Sequence, residues 1–172
     1  AITAPTAEGR LYEVDMRLRP SGNAGPIASH ITAFTKYHQE SAWTWEHMAL
    51  ARGRVLCGDA SLTAKIEGVA DTALRSERDP ETLVADIAEI RERIDNEHHT
   101  ETVWEVKYIR GGLVDIEFIV HYLQLRYAHT SPLVLSANTM NALTRLEVDG
   151  YIAAQDGATL RRALLLWQSI QG

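Results

Sequence analysis

"RGGLVDIEFIVHYLQLRYAH" (residues 110–129) is the stretch whose reading decides the fold. From Leu113 to His129 apolar residues fall on most sides of a helical wheel rather than in one stripe, so this segment reads as a helix buried by its neighbours. Asp115 and Glu117 lie early in it, where the helix dipole favours acidic groups. Gly111–Gly112 makes a sharp bend ahead of it, and Pro132 follows its end. A helix of this kind needs other helices around it.

The flanking sequence supplies them. "DPETLVADIAEIRERIDNEHH" (79–99) is the clearest amphipathic helix, with Asp79 as cap, Pro80 at the first position and a stripe of Leu83, Ile87, Ile90 and Ile94. Asp59 caps "ASLTAKIEGVADTALRS" (60–76). Residues 43–58 carry Trp45, Met48, Ala49, Val55 and Leu56 near helical spacing, with Gly58 as a stop. Ser29 starts a helix running to about Ala42, with Ile31, Phe34, Thr35 and His38 on one side. Residues 138–152 and 157–170 complete the set, and 100–112 reads as an extended segment ending in the Gly-Gly bend. Near the start, residues 11–19 alternate: Tyr12, Val14, Met16 and Leu18 are apolar, while Glu13, Asp15, Arg17 and Arg19 are charged. Period two is the pattern of a half-buried strand, and Pro20 closes it. The expected fold is mainly α: a bundle-like domain of six to seven helices preceded by a short β-strand. A lone strand needs partners for its backbone.

With 172 residues the chain is long enough for one domain with its own core, and 45% hydrophobic and 23% charged residues are ordinary globular values. A net charge of −6 argues against a general nucleic-acid binder, which needs a basic surface. The longest apolar run, "ALLLW" (163–167), falls far short of the ~20 residues that span a bilayer. The first ten residues lack the basic-then-apolar order of a signal peptide. Cys57 is the only cysteine, which rules out an intrachain disulfide and fits a reducing cytoplasm. The seven histidines and one cysteine form no zinc pattern, and there is no P-loop.

Three segments could carry chemistry. On a strand, Glu13, Asp15, Arg17 and Arg19 share one face. A carboxylate beside two guanidiniums suits a metal–phosphate site, and it equally suits a solvated face whose opposite charges pair. Gly111–Gly112, with Lys107 and Arg110 beside it, either offers free N–H groups to an anion or simply starts a helix. In "AWTWEHMALARGRV" (42–55), Glu46 and Arg54 are too far apart to pair directly, and Trp43 and Trp45 read as core residues.

Taken together and in order, "YEVDMRLRPSGNAGP", "AWTWEHMALARGRV" and "GGLVDIEFIVHYLQLRYAH" resemble the glutamine synthetase adenylyltransferase family. The resemblance covers residues 11–130 well and the rest loosely. It implies a large bacterial enzyme with two nucleotidyltransferase domains, each followed by a helical domain. One half attaches AMP to a tyrosine of glutamine synthetase, in the control of nitrogen metabolism, and the other removes it. "AWTWEH" is more similar to the adenylylating, C-terminal half; the deadenylylating half is the alternative.

The same resemblance implies a polymerase-β-like palm with three carboxylates for Mg²⁺, ATP as nucleotide donor, and the PII signal protein as a partner. Asp15 would be the third metal-ligating, catalytic aspartate, with Arg17 and Arg19 near the nucleotide phosphates. Lys107, Gly111 and Gly112 would contact the nucleotide or hold the helical domain at the cleft. Residues 1–28 would then be the end of the palm and 29–172 the helical domain. The Gly-Ser-Asp-x-Asp motif that supplies the other two carboxylates is absent here, so this polypeptide alone is expected to be inactive. Two further readings stay open: a non-catalytic helical module that docks glutamine synthetase or PII, and a free-standing helical scaffold.

Overall fold

The computed structural model describes residues 7, 9, 15–100, 102 and 104–171. The backbone divides into two compact units, Ala1–Ala42 and Trp43–Gly172. The described residues form seven α-helices and no β-strand, so the mainly helical expectation holds, and the expected strand is not seen among them.

In the first unit, residues 11–14 of the expected strand lie outside the described residues. Asp15–Arg19 are described and are not a strand. The reason is local hydrogen bonding. The Arg17 N–H donates to Asp15 Oδ1 at 2.9 Å, the Arg19 N–H to the Arg17 carbonyl at 2.9 Å, and the Gly22 N–H to the Arg19 carbonyl at 2.8 Å. A backbone that bonds to itself two and three residues away follows a turn, and no ladder holds it straight. A 3₁₀ turn at Gly22–Ala24 leads on to α1 (Ile31–Glu40), which is capped by the His30 ring, not by Ser29. His38 is buried on α1 against the Phe34 ring, 4.4 Å between centroids.

The second unit holds α2 (Thr44–Ala51), α3 (Ala60–Leu74), α4 (Pro80–Glu97), α5 (Leu113–Tyr127), α6 (Thr139–Val148) and α7 (Ala154–Gln171). Asp59 and Asp79 cap α3 and α4 as expected, accepting from the Leu62 and Thr82 N–H groups at 2.9 and 2.7 Å. Helix α2 stops well short of the expected Gly58, because the Gly53 N–H closes its last turn on the Leu50 carbonyl at 2.9 Å. Trp43 and Trp45, read as core, are exposed (70% and 40%).

Helix α5 is the axis of this unit. Its Leu125 packs with Met48, Ala51, Leu74, Leu83 and Ile87 from α2, α3 and α4. Its Leu113, Ile116 and Val120 pack with Ala142, Leu143 and Leu164 from α6 and α7. Ala128, just past its end, meets Val134 and Leu146. A helix covered on most of its circumference must be apolar over most of it, and a largely buried helix is what its sequence suggested; Ile119, 41% exposed, lies on the side left open.

Side chains also fasten the connections. Gln124, fully buried on α5, donates from Nε2 to the carbonyls of Val134 and Ser136, both at 3.0 Å. Arg145 on α6 donates to Leu133 and Leu135 in the same connection. The turn between α3 and α4 is wound around the Arg78 guanidinium, which donates to the carbonyls of Ala73, Leu74 and Ser76 and lies 3.3 Å from His47 Nδ1 of α2.

Candidate functional site

The sequence-derived residues fall into two groups, one in each unit. Asp15, Arg17 and Arg19 form a single turn. The Arg17 Nε donates to both Asp15 oxygens at 3.0 and 2.9 Å, and its Nη2 donates to Oδ2 at 2.7 Å. That fork, together with the Arg17 N–H, holds the Asp15 carboxyl down at a pKa of about 2. Asp15 is therefore ionised at neutral pH and exposed. Arg19 is turned inward, onto the carbonyls of Met16 and Gly25.

A metal site needs several such ligands, and none of the described residues forms a group of three or more His, Cys, Asp or Glu that could hold an ion. Asp15 brings one carboxylate, both of whose oxygens accept from Arg17, and the described residues do not make a complete site.

The second group lies in the loop between α4 and α5. This loop is not extended as expected. The N–H groups of Tyr108 and Ile109 both return to the Glu105 carbonyl at 3.2 Å, forming a turn. The start of α5 is satisfied from inside the chain. The Gly112 N–H donates to Ile109 (2.9 Å), Leu113 to Val106 (2.9 Å) and Val114 to Lys107 (3.1 Å), while the Gly111 N–H donates to the Asp115 carboxylate. The free N–H cradle that the Gly-Gly pair suggested is thus filled by the protein's own acceptors.

Each glycine has its own reason to be there. Gly111 takes φ +81°, a conformation that side chains disfavour. Gly112 lies against backbone, where an added Cβ would sit 2.8 Å from the Ile109 carbonyl oxygen and closer still to that of Val106.

Arg91, buried on α4, ties the loop to the bundle. Its Nε donates to Asp115, its Nη1 to Asp95 at 3.2 Å and its Nη2 to the Tyr108 carbonyl at 2.8 Å. Desolvation pushes the Asp95 carboxyl up, but hydrogen bonds from Arg110 and Arg91 and their charges outweigh it and hold it below the usual range. From α7, Trp167 Nε1 donates to the Gly111 carbonyl at 3.0 Å. Lys107 is exposed, with its ammonium 4.8 Å from the centre of the Tyr108 ring, and the His98 ring stacks on Tyr108 at 4.1 Å. Arg91 and Trp167 escaped the sequence reading. They lie 24 residues from Asp115 and 56 from Gly111, and no local pattern links them.

Two further features lie along α5. Glu117 pairs with Arg52 at 2.8 Å. One turn on, His121 is buried, its Nδ1 has no hydrogen-bond partner, and desolvation first, then the Arg52 charge, lowers its pKa to about 4. An open, mostly apolar groove of about 610 Å³ runs between α4 and α5, with Val84, Ile87, Phe118, Ile119 and Tyr122 along its walls and Arg110 at one end.

Residues 1–69 match the family model of glutamate-ammonia ligase adenylyltransferase, and residues 81–171 match that of GlnD PII-uridylyltransferase. A bifunctional glutamine synthetase adenylyltransferase/adenylyl-removing enzyme of Rhodopseudomonas palustris is 45% identical over 99% of this chain. Proteins of the same description from Rhizobium meliloti and Agrobacterium fabrum are 47% and 54% identical over 99% and 73% of it. The chain spans 17% of the length of the first two of these relatives and 13% of the third.

Proposed function

Because the chain belongs to the glutamine synthetase adenylyltransferase family, whose members are nucleotidyltransferases, we propose that it serves the transfer of AMP from ATP to a tyrosine of glutamine synthetase. The observation that carries this reading is identity of 45% along 99% of the chain, through both groups of candidate residues. In this reading residues 1–28 are the end of the palm and 29–172 the helical domain that follows it.

Asp15 is one carboxylate of a Mg²⁺ site whose other ligands lie elsewhere in the full-length protein. Its low pKa supports the role, since a ligand to a hard cation must be ionised. Arg17 pairs with Asp15 when no cation is near and serves a nucleotide phosphate when one is. Lys107 offers an exposed ammonium, a point charge suited to phosphate oxygens. Gly111 and Gly112 act by shaping its loop. The 172 residues alone transfer no AMP, and the enzyme works in the cytoplasm. The match of residues 81–171 to a PII-uridylyltransferase model supports the PII signal protein as a partner of the helical part.

Asp15→Asn in the full-length protein tests this. AMP transfer to glutamine synthetase should fall about a hundredfold or more, the scale of losing a charge that stabilises a phosphoryl-type transition state. Circular dichroism should be unchanged. Near-wild-type transfer would remove Asp15 from the metal site.

A further inference from the structure

We propose that Trp167 and Arg91 are positioning residues for the nucleotide, acting through the loop that carries Lys107. The proposal rests on the reading of Lys107 as a phosphate contact. What distinguishes this loop is how completely its backbone is tied. The carbonyls of Val106 and Lys107 are taken by the first N–H groups of α5, and that of Ile109 by Gly112. The Tyr108 carbonyl is held by Arg91 and the Gly111 carbonyl by Trp167. Two of these ties come from side chains of other helices, α4 and α7. One holds the loop just before the Gly-Gly bend and the other holds the bend's first residue.

A lysine is a flexible point charge, and its grip on a phosphate depends on how much freedom is lost when it binds. Fixing the backbone beneath Lys107 before the ligand arrives reduces that loss. The Tyr108 ring, stacked on His98, adds a face over which the ammonium rests 4.8 Å away. Arg91 does this from a buried site, where it also pairs with Asp115 and shares Asp95 with Arg110. Trp167 is only half-buried and keeps most of its packing if the indole N–H alone is removed. It is the cleaner position at which to separate positioning from folding.

The experiment measures ATP affinity by calorimetric titration of the full-length protein. It compares the wild type with Lys107→Ala, Trp167→Phe and the double variant, with thermal midpoints recorded alongside. Lys107→Ala should weaken ATP about three- to tenfold, and Trp167→Phe about two- to fivefold, on the scale of one hydrogen bond or charged contact. The double variant should bind no more weakly than Lys107→Ala alone, because Trp167 acts through Lys107. Wild-type affinity in Trp167→Phe, or losses that multiply in the double variant, would overturn the positioning role while leaving Lys107 in place. Wild-type affinity in Lys107→Ala would overturn the nucleotide reading of the loop, and the proposal with it. Should Trp167→Phe fail to fold, Arg91→Lys carries the same comparison: it keeps the charge but loses the fork that reaches the Tyr108 carbonyl.

Discussion

An alanine at Gly112 should damage this protein more than one at Gly111, even though only Gly111 has a backbone conformation that calls for glycine. At Gly111 the strain is conformational. Its φ is +81° and nothing lies within 4 Å of an added Cβ, so Gly111→Ala costs about 1 kcal/mol. At Gly112 the backbone is ordinary, with φ −82°, but the new methyl would meet two carbonyl oxygens, 2.8 Å from that of Ile109 and nearer still to that of Val106. Neither oxygen can move freely, since each already accepts a hydrogen bond, from Gly112 and Leu113 respectively. Relief requires the first turn of α5 to lift from the loop. Weakening those two bonds at about 1 kcal/mol each, plus about 1–3 kcal/mol of overpacking, outweighs the ~0.5 kcal/mol gained from a stiffer unfolded chain. The net expectation for Gly112→Ala is a loss of about 3 kcal/mol, or about 6–10 °C in Tm. Urea unfolding of the 172-residue chain, read as a midpoint shift at constant slope, measures both variants. A Gly112→Ala midpoint equal to or above that of Gly111→Ala would refute the close-approach argument.

Other perturbations follow from α5 and its connections. His121 has a folded pKa of about 4 against an ordinary value of 6.5. The unfolded chain therefore takes up its proton first, and stability present above pH 6.5 is lost as pH falls toward 4, by up to about 3 kcal/mol. His121→Leu should flatten that acid limb of the urea midpoint against pH; an unchanged slope would assign the loss to other groups. Because the Arg52 charge is one cause of the shift, Arg52→Met should raise the His121 pKa, visible in an NMR titration of the imidazole. Gln124→Met leaves the Val134 and Ser136 carbonyls without their donor and should cost about 2 kcal/mol, with faster protease cleavage between residues 131 and 136.

The helices were legible because their signals are local. Asp59, Asp79 and Pro80 announce starts that the structure keeps, and the apolar content of residues 113–129 marked a largely buried helix, which α5 is. The failures were also physical. The alternation at 11–19 is a pattern about faces, and it predicts a strand only if a partner strand supplies a ladder. In Asp15–Arg19 the arginines take up the nearest acceptors instead. Trp43 and Trp45 were read as core, but they sit at the exposed start of a short helix. The Gly-Gly pair left an anion cradle and a plain helix start both open, and the structure makes it a start: the N–H groups of Gly111, Gly112, Leu113 and Val114 turn to Asp115 and to the carbonyls of Ile109, Val106 and Lys107. The side chains that hold the loop's other carbonyls, Arg91 and Trp167, act across 17 and 56 residues, and no spacing rule displays such contacts.

The turn wound around Arg78 has a consequence for inheritance. The two family-model matches end at residue 69 and resume at 81, on either side of this turn. In sequence it is a seam. In space it is not, because Met48 and Ala51 from before it share one core with Leu83, Ile87 and Leu125 from after it. A cut at Glu77 should leave two pieces that still recognise each other and reassemble when expressed together. For the same reason, swapping either piece for that of a distant relative would bring together core residues that never adapted to one another. The two halves of this unit are bound to evolve as a pair.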